Sequence, residues 1–555
     1  MGRNDCRTDF LRDPRPAMKL IQNTISILLL LISAANSAHA ANFLTAHHQI
    51  SDLNIGSTGS FPSNLTVFSS EFYFSAYTFT TGRELWKYNG TSIALTTNVN
   101  DQVSDLGGGL IEGHGSNPKE CAIYRNKLFF SAFDSRRGDE LWSYDGTNGI
   151  RAADINTDAN DSIKANPKNS FPSELTILND TLYFQADGGG NQSDYELWKY
   201  NGTNASIVTN INPSNNGSSF PKGLTLFQNE LYFWADDGNR GFELWKHNGT
   251  QTVSFDLNPG GASSSSFPKN FLPFNGELYF QANHASFGFE LWKTDGTNVS
   301  RVTDINPGTE SSFPEFPVVF QQSLYFRATD GIRGSELWKF DGTNSTLVAD
   351  LNPFGDSFPK NFTTFNNALY FSADDGTNGW ELFKYDGESV ALVTNLNSAG
   401  DSFPESLILF DNALYFSATT PETGYELWRY DGAVVTLAAD VNSGANSSFP
   451  GNLKAFNGQL VFSADQTSTL DFELWTFLTA PFRIQSLQPA AGNTQIFWDT
   501  LGGTTNIVQA SGDVTGIYTN ISEPIIISGT IPTTADFIDA GAETFSTRFY
   551  RVVQP

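Results

Sequence analysis

Residues 357–397 read SFPKNFTTFNNALYFSADDGTNGWELFKYDGESVALVTNLN. Four short stretches rich in aromatic or branched side chains are predicted to be strands: Phe362 to Phe365, Leu369 to Ala373, Glu381 to Tyr385 and Val390 to Asn395. Asn366-Asn367 joins the first pair and Asp386-Gly387 the last, both chemistries suited to the positive φ of tight hairpins. The middle link, Asp374 to Gly379, is longer. The unit is therefore an antiparallel four-stranded meander, and its large side chains alternate on both faces, as in a sheet sandwiched between neighbours.

The same unit returns along the chain. Glu-Leu-Trp or a near copy ends at Trp86, Trp142, Trp198, Trp245, Trp292, Trp338, Phe383, Trp428 and Trp475, with steps of 47, 47, 46, 45, 45 and 47 residues from Trp198 onward. A four-stranded repeat of that length is what a propeller blade requires. The fold class expected is all-β, a β-propeller of nine blades, with eight as the rival because the first two copies lie 56 residues apart and Asn117-Pro118 replaces Phe-Pro. The ninth copy stops after Trp475 without a fourth strand, while residues 46–54 end in Asp52-Leu53-Asn54, like the fourth strands ending at Asn258 and Asn352. The N-terminal strand is expected to complete the last sheet and close the ring, removing an open edge. Proline in the recurrent Phe-Pro pair stiffens the crossover between blades, where no ladder bond is needed.

Composition agrees with a β-rich chain: 47 Phe, 18 Tyr and 11 Trp among 555 residues. The formal charge of −27, with no basic stripe, argues against nucleic acid as a partner. Met18-Lys19, the apolar run Ile25 to Ile32 and the small residues before Ala41 resemble a signal peptide cleaved near Ala40, preceded by a misassigned start. Cys6 falls before that site, leaving Cys121 alone, so no disulfide is expected. The domains expected are 1–40 (start and signal), 41–478 (propeller) and 479–555 (a small β-sandwich), with localisation secreted or at the cell surface, no membrane insertion after cleavage, and a monomer.

The motif Glu290-Leu291-Trp292-Lys293-Thr294-Asp295-Gly296-Thr297 and its companions resemble the ELWxxDGT repeat proteins of bacteria over residues 45 to 476. The resemblance implies a secreted or surface-exposed propeller-like protein, and it brings no catalytic residues. Phe383 for Trp, Ser143 for Lys, and Asn89, Asn201 and Asn248 for Asp are departures from its pattern. The C-terminal Phe549-Tyr550-Arg551-Val552 is similar to fibronectin type III-like modules at the ends of bacterial exoproteins.

The nine motif glutamates, Glu84, Glu140, Glu196, Glu243, Glu290, Glu336, Glu381, Glu426 and Glu473, are expected to be structural. Catalysis needs one asymmetric constellation, whereas packing must be satisfied in every blade. Asp154 to Asp161 spaces oxygen ligands like a calcium loop, but Ala159 and Ala165 stand where an EF-hand needs Gly and Glu. Asp236-Asp237-Gly238 and Asp374-Asp375-Gly376 read first as turns. His47, His48, His114, His247 and His284 lack zinc spacing. Asn-x-Ser/Thr sequons such as Asn89 and Asn201 read as turns. Arg136-Arg137 with Asp139 break the pattern in the second copy and invite an asymmetric pocket, against the plainer reading of a solvated loop.

The sequence thus assigns no catalytic residue, no metal ligand and no ligand-binding residue. No cofactor is called for, and Ca²⁺ is the one ion the acidic loops invite. The function expected is an exported, non-catalytic binding or adhesion scaffold that presents blade loops to an extracellular glycan, peptide or surface polymer, and so not an enzyme. A glycan-active hydrolase or lyase is the rival, and a structural cell-surface protein the third reading.

Overall fold

The computed structural model describes residues 44–553 apart from 55–58, 107–110, 158–167, 190–192, 215–216, 481–483, 491–492, 502–504, 512–518, 524, 527–531 and 541–548. The signal-peptide reading of residues 1–40 lies outside the described residues. The chain divides into two compact units, 47–479 and, separately, 1–46 with 480–555.

The larger unit is a β-propeller of nine four-stranded blades in a ring. Blades 1 to 8 span 63–97, 119–153, 173–209, 222–255, 269–301, 315–349, 360–394 and 405–439, with strands paired in chain order. In the ninth sheet the strands Gly451–Phe456, Gln459–Asp465 and Phe472–Ala480 are followed, next to the last, by Leu44–Ser51. The extra length between the first two motifs is not a lost blade. It holds a small hairpin, Val103–Asp105 paired with Ile111–Gly113, inserted between two regular sheets.

Each strand follows its local chemistry. In blade 7 they are Lys360–Phe365, Ala368–Asp374, Trp380–Tyr385 and Val390–Thr394. Asn366 (φ 45°) and Asn367 (φ 57°) make the mirror-image two-residue turn that matches strand twist. The Asp386-Gly387 link works differently from expectation. Only Gly387 takes a positive φ, while the Asp386 carboxylate accepts the N–H groups of Glu388 and Ser389 and so holds a longer loop.

First strands of successive blades touch all round the ring, from blade 9 back to blade 1, and form its inner circle. Each has a register shift near its start, and the bulged residue is left-handed in all nine: Asn64, Glu120, Glu174, Gly223, Asn270, Phe316, Asn361, Ser406 and Asn452. Several of these side chains tie one blade to the next. Asn64 donates to the Pro118 carbonyl, Asn452 to that of Pro62, and the Glu174 carboxylate accepts from Gly223 N–H.

The core is interblade. Phe320, Tyr325 and Leu337 of blade 6 pack on Leu369, Phe371, Phe383 and Tyr385 of blade 7, and equivalent clusters fill the other gaps. Each buried ring contributes about 1.5–3 kcal/mol, so neighbouring sheets, and not each sheet alone, stabilise the fold. Phe383 serves where other blades have Trp.

The smaller unit holds the strands Ile484–Ala490, Asn493–Leu501 and Pro532–Asp539 in one sheet and Thr505–Ser511 and Phe549–Val553 with two short partners in another. Ile496, Trp498, Val508, Ala510 and Tyr550 share one core, and the Tyr550 hydroxyl donates to Asp539 at 2.9 Å.

Candidate functional site

The site is built from the links between blades. Each link carries a buried serine three residues before the next blade's first strand, and every motif glutamate is buried against it. The serine hydroxyl donates to the carboxylate at 2.5–2.8 Å in all nine joints, from Glu84 with Ser116 to Glu473 with Ser60. The same carboxylate accepts the N–H that follows the fourth strand, as Glu290 does from Ile305 and Glu473 from Leu53. The serine carbonyl then accepts from the second strand of the next blade, for example Asn283 N–H to Ser266 and Asp374 N–H to Ser357. Burial pushes eight of these carboxyls up to about 7, opposed by the serine and backbone donors, and raises Glu381 in the same way.

A second joint escaped the sequence reading. The asparagine that follows each fourth strand is buried at seven joints and half-buried at Asn306 and Asn397, and its amide donates into the link, as Asn258 does to Ser265 and Asn442 to Ser447. Its carbonyl can reach the next blade, accepting Ala285 N–H at Asn258. The repeated Asp-Leu-Asn ending was the available signal.

These joints fix the residue after the serine in the left-handed region: Phe61, Asn117, Phe171, Phe220, Phe267, Phe313, Phe358, Phe403 and Phe449, with φ between 43° and 50°. A phenylalanine there is strained, and the eight rings are 37–52% exposed. Most lie on an aromatic residue that precedes a motif glutamate: Phe220 on Tyr195, Phe267 on Phe242, Phe313 on Phe289, Phe403 on Trp380, Phe449 on Tyr425 and Phe61 on Phe472, at 5.3–6.3 Å. The link face of the propeller thus carries a band of paired rings.

The band breaks between blades 1 and 3. Arg83 and Asp139 stand where other blades have rings, and Asn117 replaces phenylalanine, its N–H donating to the Arg83 carbonyl. Ser335 is the remaining non-aromatic, and there Phe358 stacks on Trp380 instead. Arg83 donates to the Phe61 carbonyl at 2.8 Å, and burial pulls its guanidinium below the usual range. Asp139 is buried, accepts the Ser131 hydroxyl and lies 3.8 Å from the Lys119 ammonium, which sits over the Phe171 ring. Burial raises the Asp139 carboxyl, opposed by Ser131 and Lys119.

The other candidates do not join this group. Arg136 pairs with Asp101 at 3.0 Å, and Arg137 lies 3.6 Å from Asp154. Asp154 is further engaged by Arg151, while Asp158 to Asp161 of the calcium-like loop lie outside the described residues. Asp237 and Asp375 accept N–H groups of their own turns. His114 meets Ser104 on the inserted hairpin, His247 is buried beside Thr252 and His284 stacks on Phe287. Among the described residues no group of three or more His, Cys, Asp or Glu could hold a metal. Asn89 caps its own turn, accepting from Thr91 and Ser92. A polar cleft of about 460 Å³ opens between blades 4 and 5, near Glu230, Lys246 and Asp295, where Thr294 replaces the ring found at this position in the other blades.

Fold and site together define a repeat propeller with a ring-bearing link face and one polar break. No family model matches the chain, and no curated protein matches it. Among solved structures it is similar to puromycin hydrolase (11% identity, TM-score 0.35, covering 75% of this chain and 60% of that one). It is also similar to a chain from a study of two prolyl endopeptidases (10%, TM-score 0.36, covering 65% and 54%) and to acylaminoacyl peptidase (10%, TM-score 0.32, covering 80% and 58%). The chain therefore spans about 60% of the length of the first of these or less. The expectation of a non-catalytic binding or adhesion scaffold, and with it of a protein that is not an enzyme, is set aside. The propellers similar to this one belong to hydrolases and peptidases. At such TM-scores the likeness carries nothing about which reaction this chain performs.

Proposed function

We propose that the chain is a hydrolase working at its link face, with the break between blades 1 and 3 as the reactive stretch. The observation that carries this is the clustering of three polar departures, Arg83, Asn117 and Asp139, in a band that elsewhere departs from aromatic residues only at the uncharged Ser335. A reaction needs one asymmetric set of titratable groups, whereas packing needs the same residue in every blade. Asp139, not any neighbour's activity, singles out the stretch. Its carboxyl holds a proton to higher pH than an exposed aspartate and so suits a proton donor, with Lys119 beside it to stabilise the anion left behind.

Purified protein assayed against peptide, ester and glycoside substrates tests the proposal. Turnover is expected, falling about 100-fold in Asp139→Asn with the circular dichroism spectrum unchanged. Absence of turnover from the whole panel, or full activity in Asp139→Asn, overturns it. Export through a signal peptide cleaved near Ala40 is part of the same proposal, as is kinship with the ELWxxDGT repeat proteins and, for residues 479–555, with fibronectin type III-like modules. Their support is the sequence alone. An N-terminus at Ala41 in protein recovered from the medium would support export.

A further inference from the structure

The hairpin inserted after blade 1, Val103–Asp105 with Ile111–Gly113, completes no blade, so packing within the ring does not dictate its side chains. Its strands pair Ser104 with Glu112, and one step further along the His114 N–H donates to the Gln102 carbonyl at 2.8 Å. Opposite residues of an antiparallel pair share a face, as do residues two apart on one strand, so Gln102, Ser104, Glu112 and His114 lie on one side. There the Ser104 hydroxyl meets His114 Nε2 at 2.6 Å, and with the imidazole proton on Nδ1 it donates to that nitrogen. His114 is exposed and Ser104 half-buried, so the pair is open to a substrate. This is the arrangement of a serine nucleophile with its general base. His247 with Thr252 makes a similar pair, but His247 is buried and no substrate reaches it.

Both ends of the hairpin are fastened beside the polar break. Gly113 lies on the backbone of Thr80 and Thr81, and Gly115 on that of Arg83, so closely that a Cβ on either would come within 2.2–2.9 Å of it. Alternation turns the intervening His114 away from that backbone. At the other end Arg136 of blade 2 pairs with Asp101 at 3.0 Å, and Gln102 Nε2 donates to Asp101 at 3.3 Å. An amide NH₂ has two N–H groups, so Gln102 keeps one to meet an oxyanion. Glu112 sets a carboxylate on the face where a positive charge would form on His114. Burial, aided by the Glu112 charge, raises the Tyr77 phenol, and Tyr77 is the ladder partner of Arg83, so this face borders the break. Leu106, two residues beyond Ser104, is 55% exposed and offers apolar surface to an acyl chain.

We propose that Ser104 and His114 are the nucleophile and general base of an acyl-transfer centre on this hairpin. The inference rests on the hydrolytic reading of the link face and narrows its substrates to esters and amides with an apolar acyl group. Ser104 Oγ bonds to the acyl carbon while its proton passes to His114 Nε2, and the leaving alcohol or amine takes that proton as its own bond to carbon breaks. Water, deprotonated by the same nitrogen, then cleaves the acyl-serine, releasing the acid and restoring Ser104. Treatment of the intact chain with a fluorophosphonate probe, which phosphonylates an activated serine with loss of fluoride, tests this without any turnover assay. One label per chain is expected, located at Ser104 by peptide mass spectrometry, absent from Ser104→Ala and from heat-denatured protein. In His114→Gln, which can still hydrogen-bond Ser104 but takes up no proton, labelling is expected to slow about 100-fold. Label missing from Ser104, label spread over several serines, or undiminished labelling in His114→Gln overturns the proposal. Turnover that depends on Asp139 with Ser104 unlabelled sinks the dyad and leaves the hydrolytic reading standing. Label at Ser104 with Asp139→Asn fully active upholds the dyad and removes Asp139 from the chemistry.

Discussion

At the scale of single residues, the chemistry of the joint predicts an asymmetric response to substitution. Glu290 faces only donors: the Ser312 hydroxyl and the N–H groups of Ile305 and Ser312. Glu290→Gln turns an amide NH₂ toward them and leaves buried donors unmatched, so a loss of about 2–4 kcal/mol is expected, against about 1 kcal/mol for Ser312→Ala, measured by urea unfolding. The strained phenylalanines behave in the opposite sense to ordinary truncation. At Phe313, with φ 48°, Phe313→Gly is expected to be more stable than Phe313→Ala by about 1 kcal/mol, because only glycine takes that backbone conformation without cost. Equal midpoints for the two variants would show that the conformation relaxes once the ring is gone.

At the scale of strands and turns, much of the architecture was legible, because alternation and turn residues are local signals. The blade 7 strands fall within two residues of their expected ends, and Asn366-Asn367 is the turn its chemistry implies. What was not legible depends on a neighbouring blade. The left-handed bulge and the left-handed phenylalanine arise where Asn64 or Ser312 reaches across a gap, and no window of sequence contains both sides of that contact. The long second copy suggested eight blades only because an inserted hairpin and a damaged repeat have the same spacing. Arg136, Arg137 and Asp139 were noticed together, but three-dimensional pairing separates them and leaves only Asp139 of the three at the break. Leu44–Ser51 lies at the edge of the ninth sheet, so a chain lacking it exposes the ladder of Phe472–Ala480. Such a variant is expected to elute as oligomers in size-exclusion chromatography, since an unpaired edge templates association.

At the scale of the whole molecule, the nine buried carboxyls act in concert on stability. Eight have folded values near 7, above the usual 4.5, so between those limits the folded chain holds more protons than the unfolded one. Their contribution is fully present below about 4.5 and is lost as pH rises through about 7, with a slope of up to ~1.4 kcal/mol per pH unit for each carboxyl. The melting temperature is therefore expected to fall from pH 5 to pH 8, as scanning calorimetry would record. A rise over that range would mean that the serine and backbone donors outweigh burial. The link serine has one more implication. Because it bonds backward through N–H and hydroxyl and forward through its carbonyl, a cassette cut from one serine to the next, such as residues 312–356, leaves Ser357 ready to inherit the partners of Ser312. Copies can thus be gained or lost by recombination without inventing a new splice, and the circumference of the ring becomes a matter of gene dosage within the chain.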